Sequence, residues 1–306
     1  MGLLLLNKSP GITSFDALRD IKRILGTPKV GHTGTLDKFA QGLLIVLAGR
    51  CLKLSRWFTH LDKQYTGKIR FGIETDTLDP EGNQTAQAEP PSREEVQKVL
   101  PLFTGAILQE PPAYSAIHVD GKRASDLARF GKTPVMKKRE VTIFKLELKD
   151  WQPPFAEIFV HCSSGTYIRS LARDIALACG SRAHLCELSR TQVGGFKLEN
   201  AFSISHGGAE AQRHGEEKKF AEPIDKNIIS LLGMPYFDVT EQEAQNIFHG
   251  KPLEVLMENK TLDFSVPSCL CESSSCGQSA AVFCKDKLAA VVENTGGKWK
   301  YGCVFL

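Results

Sequence analysis

Absences do much of the excluding in this chain. Net charge is nearly missing: 38 Lys and Arg face 35 Asp and Glu over 306 residues, a formal +3 with the eight histidines neutral. That balance lacks the strongly basic whole-chain footprint of a dedicated nucleic-acid-binding domain. No apolar run approaches the roughly 20 residues of a membrane helix, so no membrane association is expected. Residues 3–6 are too short for a signal-peptide core, and Lys8 interrupts them. The opening Met-Gly-Leu-Leu-Leu-Leu also lacks the Ser or Thr that N-myristoylation wants at position 6. The nine cysteines are odd in number and show no pairing regularity, so reduced thiols and a cytoplasmic location are expected. There is no internal repeat. What is present is ordinary globular composition, 42% hydrophobic and 24% charged, which rules out a disordered or collagenous chain. The length predicts about two domains of roughly 100–200 residues each.

The small total hides an uneven distribution. Residues 1–70 carry twelve Lys and Arg against four Asp and Glu, a net +8, and residues 71–117 carry two against eight, a net −6. Residues 118–149 carry nine against four, a net +5, and the remainder sums to −4. Such blocks are commonly just solvated surface. They become phosphate-attracting patches where other features converge on them.

Periodicity predicts a mixed fold. Leu3–Leu6 reads as a short buried strand before a Pro10-Gly11 turn. Thr13-Ser14-Phe15-Asp16 has the form of a capping box. Leu18, Ile21 and Leu25 then share one helical face, and Gly26 ends the helix. A loop with Gly31 and Gly34 follows. The unbroken run Leu43–Leu47 reads as a strand buried on both faces. Residues 65–71 alternate, as do Val141, Ile143, Leu146 and Leu148 with one slip, and Ala156, Ile158, Val160 and Cys162. A turn at Ser163–Thr166 leads into a helix with Ile168, Leu171, Ala172 and Ile175 on its apolar face, stopped by Gly180. Together these predict an α/β (α+β) domain with a mixed, largely antiparallel central sheet flanked by helices. Residues 205–222 read as a polar connector. A compact strand-rich tail follows Pro235, with strand-like pieces at Ser279–Cys284 and Leu288–Val292.

The densest chemistry-bearing cluster is Gly31-His32-Thr33-Gly34-Thr35-Leu36-Asp37. Its glycines allow close backbone approach, and an aspartate closes the loop. Spacing alone favours the ordinary reading, with Asp37 as a helix cap and His32 as a local hydrogen-bonding group. The segment is no P-loop, because the Gly-Lys-Ser/Thr ending is missing, and no third metal ligand stands at a defined spacing. In a second cluster, Gly165-Thr166-Tyr167-Ile168-Arg169, an always-charged arginine at a helix start suits a buried carboxylate. In a third, Lys63-Gln64-Tyr65, the aromatic is either core or a base-stacking platform.

These pieces, in this order, resemble the bacterial tRNA pseudouridine-55 synthase (TruB-type) family. Besides the three clusters, the match includes Pro111-Pro112-Ala113-Tyr114-Ser115-Ala116, Gly121-Lys122-Arg123, Leu127-Ala128-Arg129 and Leu188-Ser189-Arg190. It covers about residues 3–200. The resemblance implies the pseudouridine synthase fold and isomerisation of one uridine in the T loop of tRNA, without cofactor or metal. Asp37 would be the essential catalyst and Arg169 would hold its carboxylate. Tyr65 would stack on the target base, Tyr167 would line the pocket as a proton shuttle, and Leu188 would pack on the base from the other side. His32 would fill the space left by the flipped nucleotide. Lys8, Lys122, Arg123 and Arg129 would join the substrate contacts. Residues 112–139, with seven Lys and Arg against two Asp, would form a basic RNA-binding insert in a catalytic domain spanning 1–230.

Some positions depart from the family pattern. Lys38 stands where a proline is usual after the aspartate, and Pro10 is displaced by one residue. His118 and Ser125 replace a usual lysine and tyrosine. Residues 236–306 would be a small β-rich PUA-like RNA-binding domain, with Cys269, Cys271 and Cys276 in a foreign loop. With Cys284 they read C-x-C-x4-C-x7-C, an unusual zinc spacing, so no metal is expected. The T arm of tRNA is the expected partner of a monomer that requires no protein partner. The alternatives are a synthase of another RNA, including one that works within a guide-RNA complex, and an RNA-binding or RNA-folding protein without catalysis.

Overall fold

The computed structural model describes residues 2–119, 121–130, 135–204, 211–212, 221–258 and 279–305. The chain begins with β1 (Leu3–Lys8), α1 (Ser14–Leu25), β2 (Val30–His32) and β3 (Gln41–Ala48). A 3-10 turn leads to α2 (Ser55–Thr59), β4 (Lys63–Phe71) and the hairpin of β5 (Ile73–Thr75) and β6 (Gln84–Gln87). Next come α3 (Arg93–Val99), β7 (Gly105–Gln109), a second hairpin of β8 (His118–Val119) and β9 (Lys122–Arg123), and α4 (Ala124–Arg129). The long β10 (Arg139–Gln152), β11 (Phe155–Cys162), α5 (Ile168–Ala178) and β12 (Ala183–Val193) follow. Three short strands complete the main sheet: β13 (Phe196–Lys197), β14 (Phe202–Ile204) and β15 (Ala211–Gln212). The C-terminal part holds α6 (Lys226–Leu231), β16 (Tyr236–Asp238), α7 (Glu241–Phe248), α8 (Glu254–Glu258), β17 (Ser279–Cys284), β18 (Lys287–Thr295) and β19 (Lys298–Val304).

Among the described residues the main sheet has eleven strands in the order β15-β14-β1-β3-β12-β4-β11-β10-β7, with β2 beside β3 and β13 beside β12. β1 runs parallel to β14 and β3 parallel to β12, while the remaining pairs are antiparallel. This is the mixed, largely antiparallel sheet that the periodicity predicts. The Thr13 hydroxyl accepts from the Asp16 amide and the Asp16 carboxylate accepts from the Thr13 amide, closing the capping box. Gly26 ends α1 at φ 61°. The slip in β10 is a register shift against β11 after Ile143, and a second shift follows Leu148.

β3 explains its own apolar run. Leu44, Val46 and Ala48 pack with Leu18 and Ile21 of α1, whereas Leu43, Ile45 and Leu47 face a second cluster. That second cluster includes Phe58 of α2, Ile228 and Ile229 of α6, and Ala281, Phe283 and Val291 of the C-terminal sheet. The C-terminal strands, ordered β16-β17-β18-β19, thus share apolar core with the main sheet. Polar contacts reinforce the seam: Arg50 donates to the Phe305 carbonyl at 2.6 Å, Lys53 to the Val304 carbonyl at 3.0 Å, and Arg56 pairs with Glu293. A third layer holds the site. Helix α5, through Ile168, Leu171, Ala172 and Ile175, packs on Tyr65, Ile69 and Phe71 of β4 and on Leu185 and Leu188 of β12.

Two local differences from the sequence expectation stand out. Val30–His32 is a strand paired with Val46–Ala48, because Val30 is buried, and three residues are too few to show alternation. Asp37 does not head a helix; the chain runs from it through residues 38–40 into β3. Most of the polar connector and the loop bearing Cys269, Cys271 and Cys276 lie outside the described residues. The described cysteines are free, and among the described residues no helix is long and apolar enough to cross a membrane.

Candidate active site

Asp37 sits in the loop 33–40 that joins β2 to β3, and this loop is pinned from several sides. Leu36 is buried against the α5 layer. The Ser14 hydroxyl accepts from the Leu36 amide at 2.9 Å and donates to its carbonyl at 3.0 Å. From β12, Arg190 donates through Nε to the Leu43 carbonyl at 2.8 Å and through a terminal nitrogen to the Gly34 carbonyl at 3.0 Å. Gly42 makes this approach possible: at φ 106°, a Cβ there would lie 2.5 Å from the Arg190 carbonyl oxygen.

Lys8, expected among the substrate contacts, lies beneath the loop and is buried. Its ammonium donates to the carbonyls of Ser9 at 2.9 Å, Ile12 at 2.7 Å and Lys38 at 3.4 Å. Three carbonyls match the three ammonium protons, so its position makes it a strut of the loop. Burial pulls its pKa down to about 8, with Arg190 adding to the fall and the Asp37 and Glu81 charges opposing it.

Arg169 reaches the same point from the second residue of α5. Its Nε lies 2.8 Å from Asp37 Oδ2, and a terminal nitrogen donates to Asp37 Oδ1 at 3.1 Å. That nitrogen also donates to the Tyr114 carbonyl at 3.0 Å, while the other donates to the Thr77 carbonyl at 2.7 Å and to Asp79 Oδ2 at 3.1 Å. The buried guanidinium is therefore shared between two carboxylates. Tyr167, the N-cap of α5, has no side-chain cap bond; buried Gln109 instead donates to its carbonyl at 3.1 Å and accepts from its amide at 2.8 Å.

Asp37, Tyr65, Tyr167, Arg169, Leu188 and Arg190 line one pocket of about 320 Å³. That volume is at the lower end of ligand cavities, roughly 300–1,000 Å³, and suits one nucleoside rather than a base-paired helix. The Asp37 side chain keeps 37% of its surface open despite its deep position. Burial raises its carboxyl above the usual range; Arg169 draws it back, and the Asp79 charge adds to the rise. Burial likewise raises the Tyr65 and Tyr167 phenols, so both stay protonated at neutral pH. His32 lies outside the lining; burial, aided by Arg190, lowers its pKa, and its Nδ1 has no hydrogen-bond partner among the described residues.

The basic insert adjoins the pocket. Its hairpin β8–β9 and helix α4 are tied down where Ala124 donates to the Ile117 carbonyl at 2.7 Å and Ser125 to that of Ser115, a lining residue, at 3.1 Å. Lys122 and Arg123 are exposed on β9. Arg129 lies on α4, 3.7 Å from Asp126.

Three residues without an assigned role in the sequence are part of the site: Asp79, Gln109 and Arg190. Arg190 belongs to the Leu188-Ser189-Arg190 motif but is one of many basic residues. Asp79 sits in an acidic stretch that reads as solvated surface. Its signal would have been Thr77 and Glu81 around it, since Asp79 Oδ1 accepts from the Thr77 hydroxyl at 2.6 Å and from the Glu81 amide at 3.0 Å. Leu78, at φ 60°, holds that turn in a conformation rare for a branched side chain.

Similarity to known proteins follows this geometry. Over its whole length the chain superposes on 85% of a chain in the crystal structure of a Cbf5-Nop10-Gar1 complex, with a TM-score of 0.68 at 23% identity. With its mixed central sheet flanked by helices and its β-rich C-terminal part, the chain has the pseudouridine synthase fold. Residues 22–168 match the profile of the TruB family pseudouridylate synthase, N-terminal domain. The tRNA pseudouridine synthase B of Borreliella burgdorferi (strain ZS7) is 46% identical over 244 residues, 78% of this chain and 86% of that one. That of Zymomonas mobilis (strain ATCC 31821) is 38% identical over 291 residues, 92% of this chain and 94% of that one. The chain belongs to the TruB family of pseudouridylate synthases.

Proposed function

We propose that this protein converts the T-loop uridine at position 55 of tRNA to pseudouridine, with Asp37 as the catalytic carboxylate. One observation carries the assignment of roles: Asp37 opens into a nucleoside-sized pocket, gripped by Arg169, with Tyr65, Tyr167 and Leu188 around it. The names of the relatives support tRNA as the substrate.

The chemistry balances without an outside reagent. The N1–C1′ bond breaks, the uracil turns over, a C5–C1′ bond forms, and C5 gives up a proton while N1 gains one. A base must leave its stack to be reached, at about a few kcal/mol. Stacking on Tyr65 offsets roughly 1–3 kcal/mol of that cost. Arg169 aims the carboxylate, and the base, once seated, displaces water from the pocket and strengthens the carboxylate's field on the charge that develops. Leu188 packs the opposite face of the base. Tyr167, protonated and with its backbone held by Gln109, moves a proton, and His32, its pKa lowered by burial, fills the vacated stack. Lys122, Arg123 and Arg129 contact phosphates. The catalytic domain spans 1–230 and the strands beyond 236 act as a PUA-like RNA-binding domain. The protein works as a monomer.

The test is to incubate purified protein with an unmodified tRNA transcript and map pseudouridine. Conversion at position 55 alone is expected. Asp37→Ala abolishes it while leaving tRNA binding within a few-fold; a mutant that still converts uridine at a comparable rate overturns the assignment.

A further inference from the structure

Two loops converge on Arg169 from different parts of the chain: 33–40, which carries Asp37, and 76–83, which carries Asp79. They also meet outside the pocket, through a pair that the isomerisation chemistry does not use. Lys38 Nζ lies 3.2 Å from Glu81 Oε1. The Glu81 amide donates to Asp79 Oδ1 at 3.0 Å, so Glu81 moves with Asp79. Lys38 shares a peptide bond with Asp37, and its carbonyl is held by the Gly11 amide at 2.8 Å and by Lys8. The contacts close a ring: Asp37, Lys38, Glu81, Asp79, Arg169 and back to Asp37.

We infer that the Lys38–Glu81 ion pair is a positioning device, holding the two loops at the separation that lets one guanidinium grip both carboxylates. The inference rests on the proposed isomerase function. An arginine fork is planar and rigid, so both carboxylates must arrive at set angles to share it. The pair itself is half exposed, with 52% of the lysine and 44% of the glutamate side chain open, and such pairs contribute little to folding stability. Its effect therefore belongs to geometry, where a misplacement of about 1 Å costs on the order of a hundredfold in rate. Glu81 also neutralises the lysine, which favours this role over a phosphate contact.

The variants Lys38→Met, Glu81→Gln and the reversed pair Lys38→Glu with Glu81→Lys separate the outcomes. Each single change is expected to lower kcat by about three- to tenfold, with KM for tRNA within about twofold, and the reversed pair to recover most of the loss. The thermal midpoint stays within about 2 °C of the wild type, as for other exposed pairs. A second readout needs no turnover: the side-chain ¹⁵N resonance of Arg169 Nε shifts in both singles and returns in the reversed pair. The inference is overturned if the wild type converts uridine and the singles match it, if the singles raise KM alone, or if the reversed pair is no better than either single. If the wild type forms no pseudouridine, the functional reading fails, and the Arg169 resonance decides whether the ring positions the carboxylates.

Discussion

At the residue scale, Asp37 answers to two opposing neighbours. Burial and the Asp79 charge raise its carboxyl, and Arg169 lowers it, with burial the largest influence. A carboxyl raised in this way is ionised only above its raised value. If Asp37 acts as proposed in its ionised form, activity is expected to fall, as pH drops, at a point above the ordinary aspartate value of about 3.9. Asp79→Asn removes one raising charge, so the acid limb of kcat/KM moves to lower pH even as kcat drops with the loosened Arg169; a pH–rate series on both proteins checks the sign. Asp37, Tyr65, Tyr167, Arg169 and Leu188 were legible because each sits in a recognisable run of neighbours. Asp79, Gln109 and Arg190 were not, because an ordinary acid, amide or base becomes special only when folding delivers it to Arg169, to the Tyr167 backbone or to the Asp37 loop.

At the element scale, β3 serves stability and the site through different residues. Leu44 is fully buried against α1, and Leu44→Ala is expected to cost roughly 2–5 kcal/mol by chemical denaturation, while folded molecules keep their kcat. Gly42 lies against the Arg190 backbone of β12, and Gly42→Ala forces β3 and Arg190 apart. It is expected to lower kcat in the fraction that folds, because Arg190 then releases the Gly34 and Thr35 carbonyls beside Asp37. The double-sided burial of β3 was legible as an apolar run. The parallel pairing of Ser189 and Arg190 with Gln41 and Gly42 was not, since residues nearly 150 apart leave no local trace of their register.

At the scale of the whole molecule, charge returns as position. Lys122 and Arg123 are exposed on β9 of the hairpin β8–β9, within a segment of net +5. Replacing both with Gln is expected to weaken tRNA binding and to reduce the slope of log affinity against log salt by about 2, roughly one for each phosphate no longer neutralised. A salt titration of binding measures it, and an unchanged slope would place these side chains off the RNA. The C-terminal strands share core with β3 and α2, so the two-domain organisation expected from length is joined by packing as well as by chain.

By itself the sequence determined the strongly patterned elements, such as β1, α1, β3, β11 and α5, through periodicity and caps, and which loop carries the aspartate, through a local cluster of glycines and polar residues. Those features depend on residues within a few positions of one another. Only the tertiary structure decided that Arg169 serves two carboxylates, that Lys8 is a buried strut, and that Lys38 and Glu81 join two loops. Each depends on groups brought within about 3 Å from distant parts of the chain, where desolvation and hydrogen-bond geometry, rather than residue type, set the role.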